Sequence, residues 1–132
     1  MRHELTVNTT LTATHSLSER EQPHAHIWKV RVCVTGELES GRVLSLPEMK
    51  RWLDGILAPL QNTFLNEQPI LDEDSRQEPT CENMSRFLFE KMSGALELMP
   101  SLAARRVLVA WVQVAVIEHD GSELGNVRFF PD

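Results

Sequence analysis

One stretch of alternating residues constrains the fold of this chain more than any other feature. Between residues 27 and 36 every second side chain is large and apolar; these are Trp28, Val30, Val32 and Val34. The positions between them carry Lys29, Arg31, Cys33 and Thr35. Successive side chains of a strand point to opposite faces, so the pattern predicts a β-strand with one face in the core.

Three further segments have the composition of strands. Residues 5–14 and 105–118 are rich in β-branched and apolar side chains. A turn-like segment with two glycines, 119–125, then leads into a last short strand at 126–130. Four strands are therefore expected, two near each end of the chain.

Two helices are predicted between the second and third strands. Ser45 with Glu48 three residues later forms a capping box, and an apolar stripe then continues to Leu60. Residues 62–77 are polar and predict a long connection, after which Thr80 is a favourable N-cap for the second helix. The order ββααββ predicts an α+β fold, in which a four-stranded antiparallel sheet carries both helices on one face. We expect a single domain over residues 1–132.

Composition excludes several classes of function. The chain has 132 residues and a formal net charge of −6, which argues against nucleic acid as the main partner. It has two cysteines, Cys33 and Cys81, in different predicted elements, and no apolar run long enough to span a membrane. The first 14 residues lack the basic start and apolar block of a signal peptide, so we expect a cytoplasmic protein.

Three histidines are the candidate metal ligands. His24 and His26 have the same parity as Trp28, so they extend the apolar face of the second strand. The polar stretch from Ser16 to Pro23 would allow the chain to fold back and bring His15 alongside them. Three neutral imidazoles with one open position are the ligand set of a catalytic zinc site. The alternative is that they are scattered surface histidines near a turn.

Five motifs, in the expected order, resemble those of the 6-pyruvoyltetrahydropterin synthase and 6-carboxytetrahydropterin synthase family. They are Leu11-Thr12-Ala13-Thr14-His15, His24-Ala25-His26, Leu65-Asn66, Pro79-Thr80-Cys81-Glu82 and Glu118. The resemblance covers nearly the whole chain. It implies the tunnelling (tetrahydrobiopterin) fold.

The resemblance also implies roles for individual residues. The three histidines would bind Zn²⁺, which acts as a Lewis acid on the oxygens of a substrate side chain. Glu118 would anchor the pterin ring through paired hydrogen bonds, and Thr80 and Cys81 would line the pterin slot. Without the resemblance, the favoured interpretation of Glu118 is an exposed charge at a strand end, and Thr80 is simply a helix cap. A homo-oligomer, a hexamer or similar, with sites at subunit interfaces is implied as well, and exposed edge strands favour pairing between chains.

The chain departs from the family pattern where the proton-transfer groups are expected. Arg20 stands in place of a cysteine, and Gln61-Asn62 in place of an Asp-His pair, so the usual machinery is absent. Glu21 lies three residues before His24. This arrangement resembles a branch of the family in which a glutamate replaces the cysteine and dihydroneopterin is cleaved for folate synthesis. Glu21 is therefore the candidate general base, although it is also one of several charges in a polar loop. His119 is a weaker candidate proton donor.

Two hypotheses of different class follow. The first is a zinc-dependent pterin lyase or synthase, acting on a dihydroneopterin-type substrate in folate or queuosine biosynthesis. The second is a non-catalytic paralogue that binds zinc and a pterin. The retained histidines with Glu21 and Glu118 favour the enzyme, whereas the missing Asp-His pair favours the paralogue.

Overall fold

The computed structural model describes residues 2–16, 22–68 and 78–132. Its four strands form one antiparallel sheet in the order β1-β2-β3-β4. The strands are β1 (His3–His15), β2 (His24–Gly36), β3 (Leu108–Ile117) and β4 (Glu123–Phe129). The predicted antiparallel sheet is confirmed.

The helices lie between β2 and β3 in the chain. They are α1 (Leu46–Leu57), α2 (Cys81–Glu97) and the short α3 (Pro100–Ala104), with 3₁₀ turns at Ala58–Leu60 and Leu65–Glu67. The Ser45 hydroxyl accepts a hydrogen bond from the Glu48 amide at 3.4 Å, and the Thr80 hydroxyl accepts one from the Asn83 amide at 3.1 Å. Both predicted caps therefore begin a helix. Helix α3 was not predicted, because one turn is too short to show an apolar stripe.

The core lies between one face of the sheet and helices α1 and α2. On β2 the side chains of Trp28, Val30, Val32 and Val34 are at most 1% exposed, and they pack with Met49 and Leu53 of α1 and with Met84, Leu88 and Met92 of α2. Both main helices therefore cover the same face, as the sequence predicted. On the opposite face Cys33 is also fully buried, beside its β3 partner Trp111.

Three strands are longer than the sequence predicted: β4 begins at Glu123, within the predicted turn segment, and the extensions of β1 and β2 affect the histidines. Strand β1 continues to His15 and β2 begins at His24, so the hairpin ladder runs without a break from the pair His3–Gly36 to the pair His15–His24. Strand β3 begins at Leu108, later than predicted, because Arg106 has a left-handed backbone with φ 55°.

The connection after α1 runs along the outer edge of β1. The Asn62 amide donates to the Thr12 carbonyl at 2.6 Å, and the Thr14 amide donates to the Thr63 carbonyl at 2.9 Å. Thr14 and Phe64 form a parallel bridge. The edge of β1 next to His15 is therefore covered by the chain itself. Among the described helices, none has the length and apolar character needed to cross a membrane.

Candidate functional site

The end of the β1–β2 hairpin brings the three candidate histidines together. His15 pairs directly with His24, and Ala13 pairs with His26, so all three imidazoles extend from the same end of the core-facing side. The ring centres of His15 and His26 are 5.1 Å apart, those of His24 and His26 5.8 Å, and those of His15 and His24 6.2 Å. Strand parity and the register of the hairpin together place these side chains in one cluster.

His15 is the most constrained member of the cluster. It is only 6% exposed, and its ring meets the Trp28 indole edge-on with 4.7 Å between centres. Its Nδ1 lies 3.0 Å from the carbonyl oxygen of Pro79. Because a carbonyl only accepts hydrogen bonds, this contact places the proton on Nδ1 and leaves the lone pair on Nε2 for another ligand.

The surroundings of His26 favour its neutral form. Burial lowers the pKa of His26 below its ordinary value of 6.5, and neighbouring His15 and His24 lower it further, while Glu118 acts in the opposite direction. Only a neutral imidazole can donate its lone pair to a metal ion. His26 therefore offers a lone pair at neutral pH.

A groove of about 630 Å³ lies beside the cluster. One wall comes from the first turn of α2, including Thr80 and Cys81, and the other from β4; the lining side chains are His15, His24, His26, Thr80, Cys81, Glu82, Val116, Leu124, Gly125, Asn126 and Val127. Burial raises the pKa of the Cys81 thiol to about 11, so it stays protonated at neutral pH. The groove is large enough for a bicyclic ligand, since small-molecule sites begin at about 300 Å³.

Glu118 follows the last residue of β3 and is near His26. Its backbone is fixed by a turn, in which its amide donates to the Ser122 carbonyl at 2.8 Å and its carbonyl accepts from the Gly121 amide at 2.9 Å. As far as the described residues define it, the groove lining does not include Glu118. His119 is exposed. The candidate base Glu21 and its neighbour Arg20 lie outside the described residues.

Gln61 and Asn62, which replace the expected Asp-His pair, bind the backbone of β1. The Gln61 side chain donates to the Thr10 carbonyl and accepts from the Thr12 amide, both at 2.9 Å. Asn62 has φ 60°, a left-handed conformation that asparagine tolerates better than most residues. These two residues therefore have a structural role that the sequence did not reveal.

Asn66 has a similar role that sequence reasoning also missed. Its side-chain oxygen accepts from the Ser16 amide at 2.9 Å, and its side-chain nitrogen donates to the Ser16 carbonyl at 2.7 Å. This pair of bonds fixes the residue directly after His15. The Leu65-Asn66 motif was visible in the sequence, but its partner fifty residues away was not.

Comparison with known proteins identifies the family. The family described as 6-pyruvoyl tetrahydropterin synthase matches residues 4–123. A putative 6-carboxy-5,6,7,8-tetrahydropterin synthase from Archaeoglobus fulgidus is 30% identical over 108 residues, which cover 79% of this chain and 84% of that protein. A dihydroneopterin monophosphate aldolase from Pyrococcus furiosus is 30% identical over 76 residues, covering 58% of this chain and 60% of that protein. This second match spans less than two thirds of the relative's length.

Solved structures share the fold. The 6-pyruvoyl tetrahydropterin synthase of Caenorhabditis elegans superposes with a TM-score of 0.70 at 18% identity, covering 100% of this chain and 97% of that one. That of Plasmodium vivax gives a TM-score of 0.67 at 18% identity, covering 98% and 99%. The match over residues 4–123, together with a 30% identical relative matched over most of its length, shows that this chain belongs to the 6-pyruvoyl tetrahydropterin synthase family.

Proposed function

We propose that this protein is a zinc-dependent lyase or synthase that acts on a dihydroneopterin-type pterin. The observation that carries the proposal is the cluster of three imidazoles at the mouth of a groove, in a chain whose family and relatives are named for pterin chemistry. One relative is named an aldolase for dihydroneopterin monophosphate, and another a putative 6-carboxytetrahydropterin synthase. Folate and queuosine biosynthesis are the two pathways in which such a reaction would take part.

The three histidines have the right chemistry for Zn²⁺. Residues 2–16, 22–68 and 78–132 contain no three His, Cys, Asp or Glu side chains already closed to metal-holding geometry. A tetrahedral zinc about 2.1 Å from three imidazole nitrogens sets the ring centres about 5.2 Å apart. The 5.1 Å separation of His15 and His26 meets this value, and those to His24 exceed it by about 1 Å or less. A rotation of the half-buried His24 side chain that shortens these two distances would complete the set.

The contact between His15 and the Pro79 carbonyl supports the same assignment. Metal-binding histidines usually donate their second ring nitrogen to a carbonyl or carboxylate, which fixes the ring and its tautomer. Here Pro79 precedes the cap of α2, so the start of that helix both orients His15 and forms one wall of the groove. Zinc bound here would polarise oxygen atoms of the substrate side chain.

Glu21 is the proposed general base. In the aldolase reaction the base takes a proton from the hydroxyl on the second side-chain carbon. The bond between the first and second carbons then breaks, and its electron pair takes up a proton at the first carbon. The products are a 6-hydroxymethyl pterin and a two-carbon aldehyde, so atoms and electrons balance without a redox partner.

The experiment that tests this function measures metal and product separately. Purified protein should contain near one zinc per chain, and replacing both His24 and His26 with alanine should remove it. Dihydroneopterin should be cleaved to the hydroxymethyl product, and Glu21→Gln should lower turnover by ~10²–10⁴-fold while zinc is retained. Glu19→Gln is the matched control, since it removes the same charge two residues away. Stoichiometric zinc in the double histidine variant, or wild-type turnover in Glu21→Gln, would refute the assignment.

Glu118 is the proposed anchor of the pterin ring. A carboxylate accepts two hydrogen bonds from an aminopyrimidine edge, and Glu118 is near enough to His26 to influence its pKa. Glu118→Ala should therefore weaken pterin binding, measured by fluorescence titration, and leave zinc content unchanged. Pterin binding at wild-type strength in this variant would remove Glu118 from the site.

One observation favours a non-catalytic pterin-binding protein as the second candidate. Gln61 and Asn62 are committed to the backbone of β1, so neither replaces the proton-transfer pair that the family pattern has there. Mass spectrometry of products from dihydroneopterin and from its triphosphate decides between the two functions. Pterin binding without any product would establish the second.

We also propose a homo-oligomer with sites at subunit interfaces. Strand β4 is an edge strand, and among the described residues the covering segment bonds β1 between Thr10 and Thr14. Unpaired edges of this kind favour strand pairing between chains. Sedimentation that shows a monomer at micromolar concentration would contradict this proposal.

A further inference from the structure

The sheet face that points away from the helices carries an ordered row of polar side chains, one from each strand. By strand register Asn8 pairs with Arg31, Arg31 with Gln113, and Gln113 with Arg128. Paired residues of neighbouring strands lie on the same face, so the four side chains form one line across the sheet. This line is called the arginine row below.

Both arginines of the row are held by their neighbours. The Nε of Arg31 donates to the Asn8 side-chain oxygen at 2.9 Å, and the Nε of Arg128 donates to the Gln113 side-chain oxygen at 3.0 Å. The Arg128 guanidinium also stacks 3.9 Å above the centre of the Trp111 ring. In each case a neutral amide oxygen fixes one edge of the guanidinium, and the terminal N–H groups remain for a ligand.

The row lies in a locally positive region of an acidic chain. Lys29 is exposed on the same face, two residues along β2 from Arg31, which is about 6.8 Å. Among the described residues no carboxylate lies within ion-pair distance of Arg31 or Arg128. Glu4 and Glu123 are the strand carboxylates on this face among the described residues. In strand register they lie opposite Thr35 and Ile117, at the two ends of the sheet. Three cations thus stand together in a chain of net charge −6.

We propose that the arginine row binds an anion with at least two linked phosphoryl groups. A planar guanidinium fits the oxygens of a phosphoryl group through two parallel hydrogen bonds. Arg31 and Arg128 lie two strands apart, or about 9.6 Å between backbones, which suits a chain of phosphoryl groups better than a single phosphate. Lys29 adds a point charge beside them. The row lies on the opposite face from the histidine groove, so the site is separate from the proposed function.

The test is calorimetric titration with inorganic tripolyphosphate at low ionic strength, where surface charge is least screened. We expect binding that is at least tenfold tighter than that of orthophosphate. Arg31→Gln and Arg128→Gln should each weaken it about tenfold or more, because each loses charge-assisted hydrogen bonds. Arg51→Gln is the matched control, since it removes the same charge from the exposed surface of α1 and should bind as wild type.

Two further measurements identify the place and the source of the ligand. Tripolyphosphate should change the tryptophan fluorescence, and Trp111→Phe should abolish this change, because Trp28 and Trp52 lie away from the row. Titration with ATP separates the two sources of linked phosphates. Tighter binding of ATP than of tripolyphosphate assigns the site to a nucleotide, and equal or weaker binding assigns it to free polyphosphate.

Several results would overturn the proposal. These are the absence of binding at millimolar tripolyphosphate, unchanged affinity in folded Arg31→Gln and Arg128→Gln, or an equal loss in Arg51→Gln. Tripolyphosphate could instead bind a metal ion at the histidine cluster. The affinity of Arg31→Gln and Arg128→Gln would then be unchanged, and this result too would overturn the proposal. If the row variants instead change the sedimentation mass while no anion binds, the row contacts a second copy of the chain.

Discussion

Replacement of Asn66 tests whether the connection after α1 fixes the end of β1 where the site begins. The Asn66 amide forms two hydrogen bonds with the backbone of Ser16, at 2.9 and 2.7 Å, and Ser16 follows His15 directly. Asn66→Ala removes both bonds and leaves the backbone sequence of the strand unchanged. The variant therefore isolates the contribution of this side chain.

The magnitude follows from the number and the burial of the bonds. A typical intramolecular hydrogen bond contributes about 0.5–1.5 kcal/mol net, and the cost of losing one rises when the remaining partner is buried. Ser16 is only 8% exposed, but Asn66 is exposed, so water replaces part of the lost bonding on its side. We expect the free energy of unfolding to fall by about 1–2 kcal/mol, and the Tm by roughly 3–10 °C.

Urea unfolding followed by circular dichroism measures this change, and amide hydrogen exchange locates it. Exchange of the Ser16 amide should accelerate, while the Thr14 amide, bonded to the Thr63 carbonyl, stays protected. Gln68→Ala is the matched control, because that amide makes one long bond of 3.4 Å to the Phe64 carbonyl. The reasoning fails if Asn66→Ala is within about 0.5 kcal/mol of wild type, the range of ordinary surface substitutions.

Three further predictions follow from packing and from pKa values. A Cβ on Gly36 would lie 2.9 Å from Cγ2 of Val107, so Gly36→Ala should lower the free energy of unfolding by about 1–3 kcal/mol. A Cβ on Gly94 would have nothing within 4 Å, so Gly94→Ala should be neutral or stabilising. Urea unfolding of the two variants measures the difference. In metal-free protein the Cys81 thiol, with its pKa of about 11, should react with iodoacetamide at pH 8 about 100-fold more slowly than a free cysteine, as followed by peptide mass spectrometry. The pKa of His26 is lower in the folded state than its ordinary value of 6.5, so the unfolded chain takes up a proton first as pH falls. The free energy of unfolding of metal-free protein should therefore decrease as pH falls below about 6.5. In a His26→Gln variant this decrease should be smaller.

The parts of the fold that were predictable are those encoded locally. Alternation on β2 identified the core face correctly, because side-chain direction in a strand depends only on parity. The caps at Ser45 and Thr80 depend on contacts three residues away, so their sequence signatures were sufficient. The hairpin that joins His15 to His24 follows from two strands separated by a short polar segment.

The parts that were not predictable depend on contacts between distant residues. The bonds from Gln61 to β1 span about fifty positions, and no periodicity in the sequence marks them. The Pro79 carbonyl that orients His15 is a backbone group, which any residue would supply. Leu124 and Asn126 of β4 form a wall of the groove only because the sheet places β4 beside β3. In each case the tertiary arrangement, rather than residue type, provides the contact.

The three imidazoles lie on the same face of β1 and β2 as the buried apolar side chains, at the end of that face. His26 has the parity of Trp28 on β2, and His15 has the parity of Ala13 on β1, so packing of the apolar residues fixes the register that aligns the histidines. The β1–β2 ladder is regular through the histidines, whereas the β2–β3 ladder starts at Ile27 and shifts register at the far end of the strand, between Cys33 and Val34. The backbone positions of the three histidines are therefore fixed by the hydrophobic core beneath them. Glu21 belongs by sequence to the segment that joins the two strands, and it is not one of the proposed zinc ligands. Its variants should therefore alter turnover without altering zinc content, so the two halves of the proposed mechanism are independently testable.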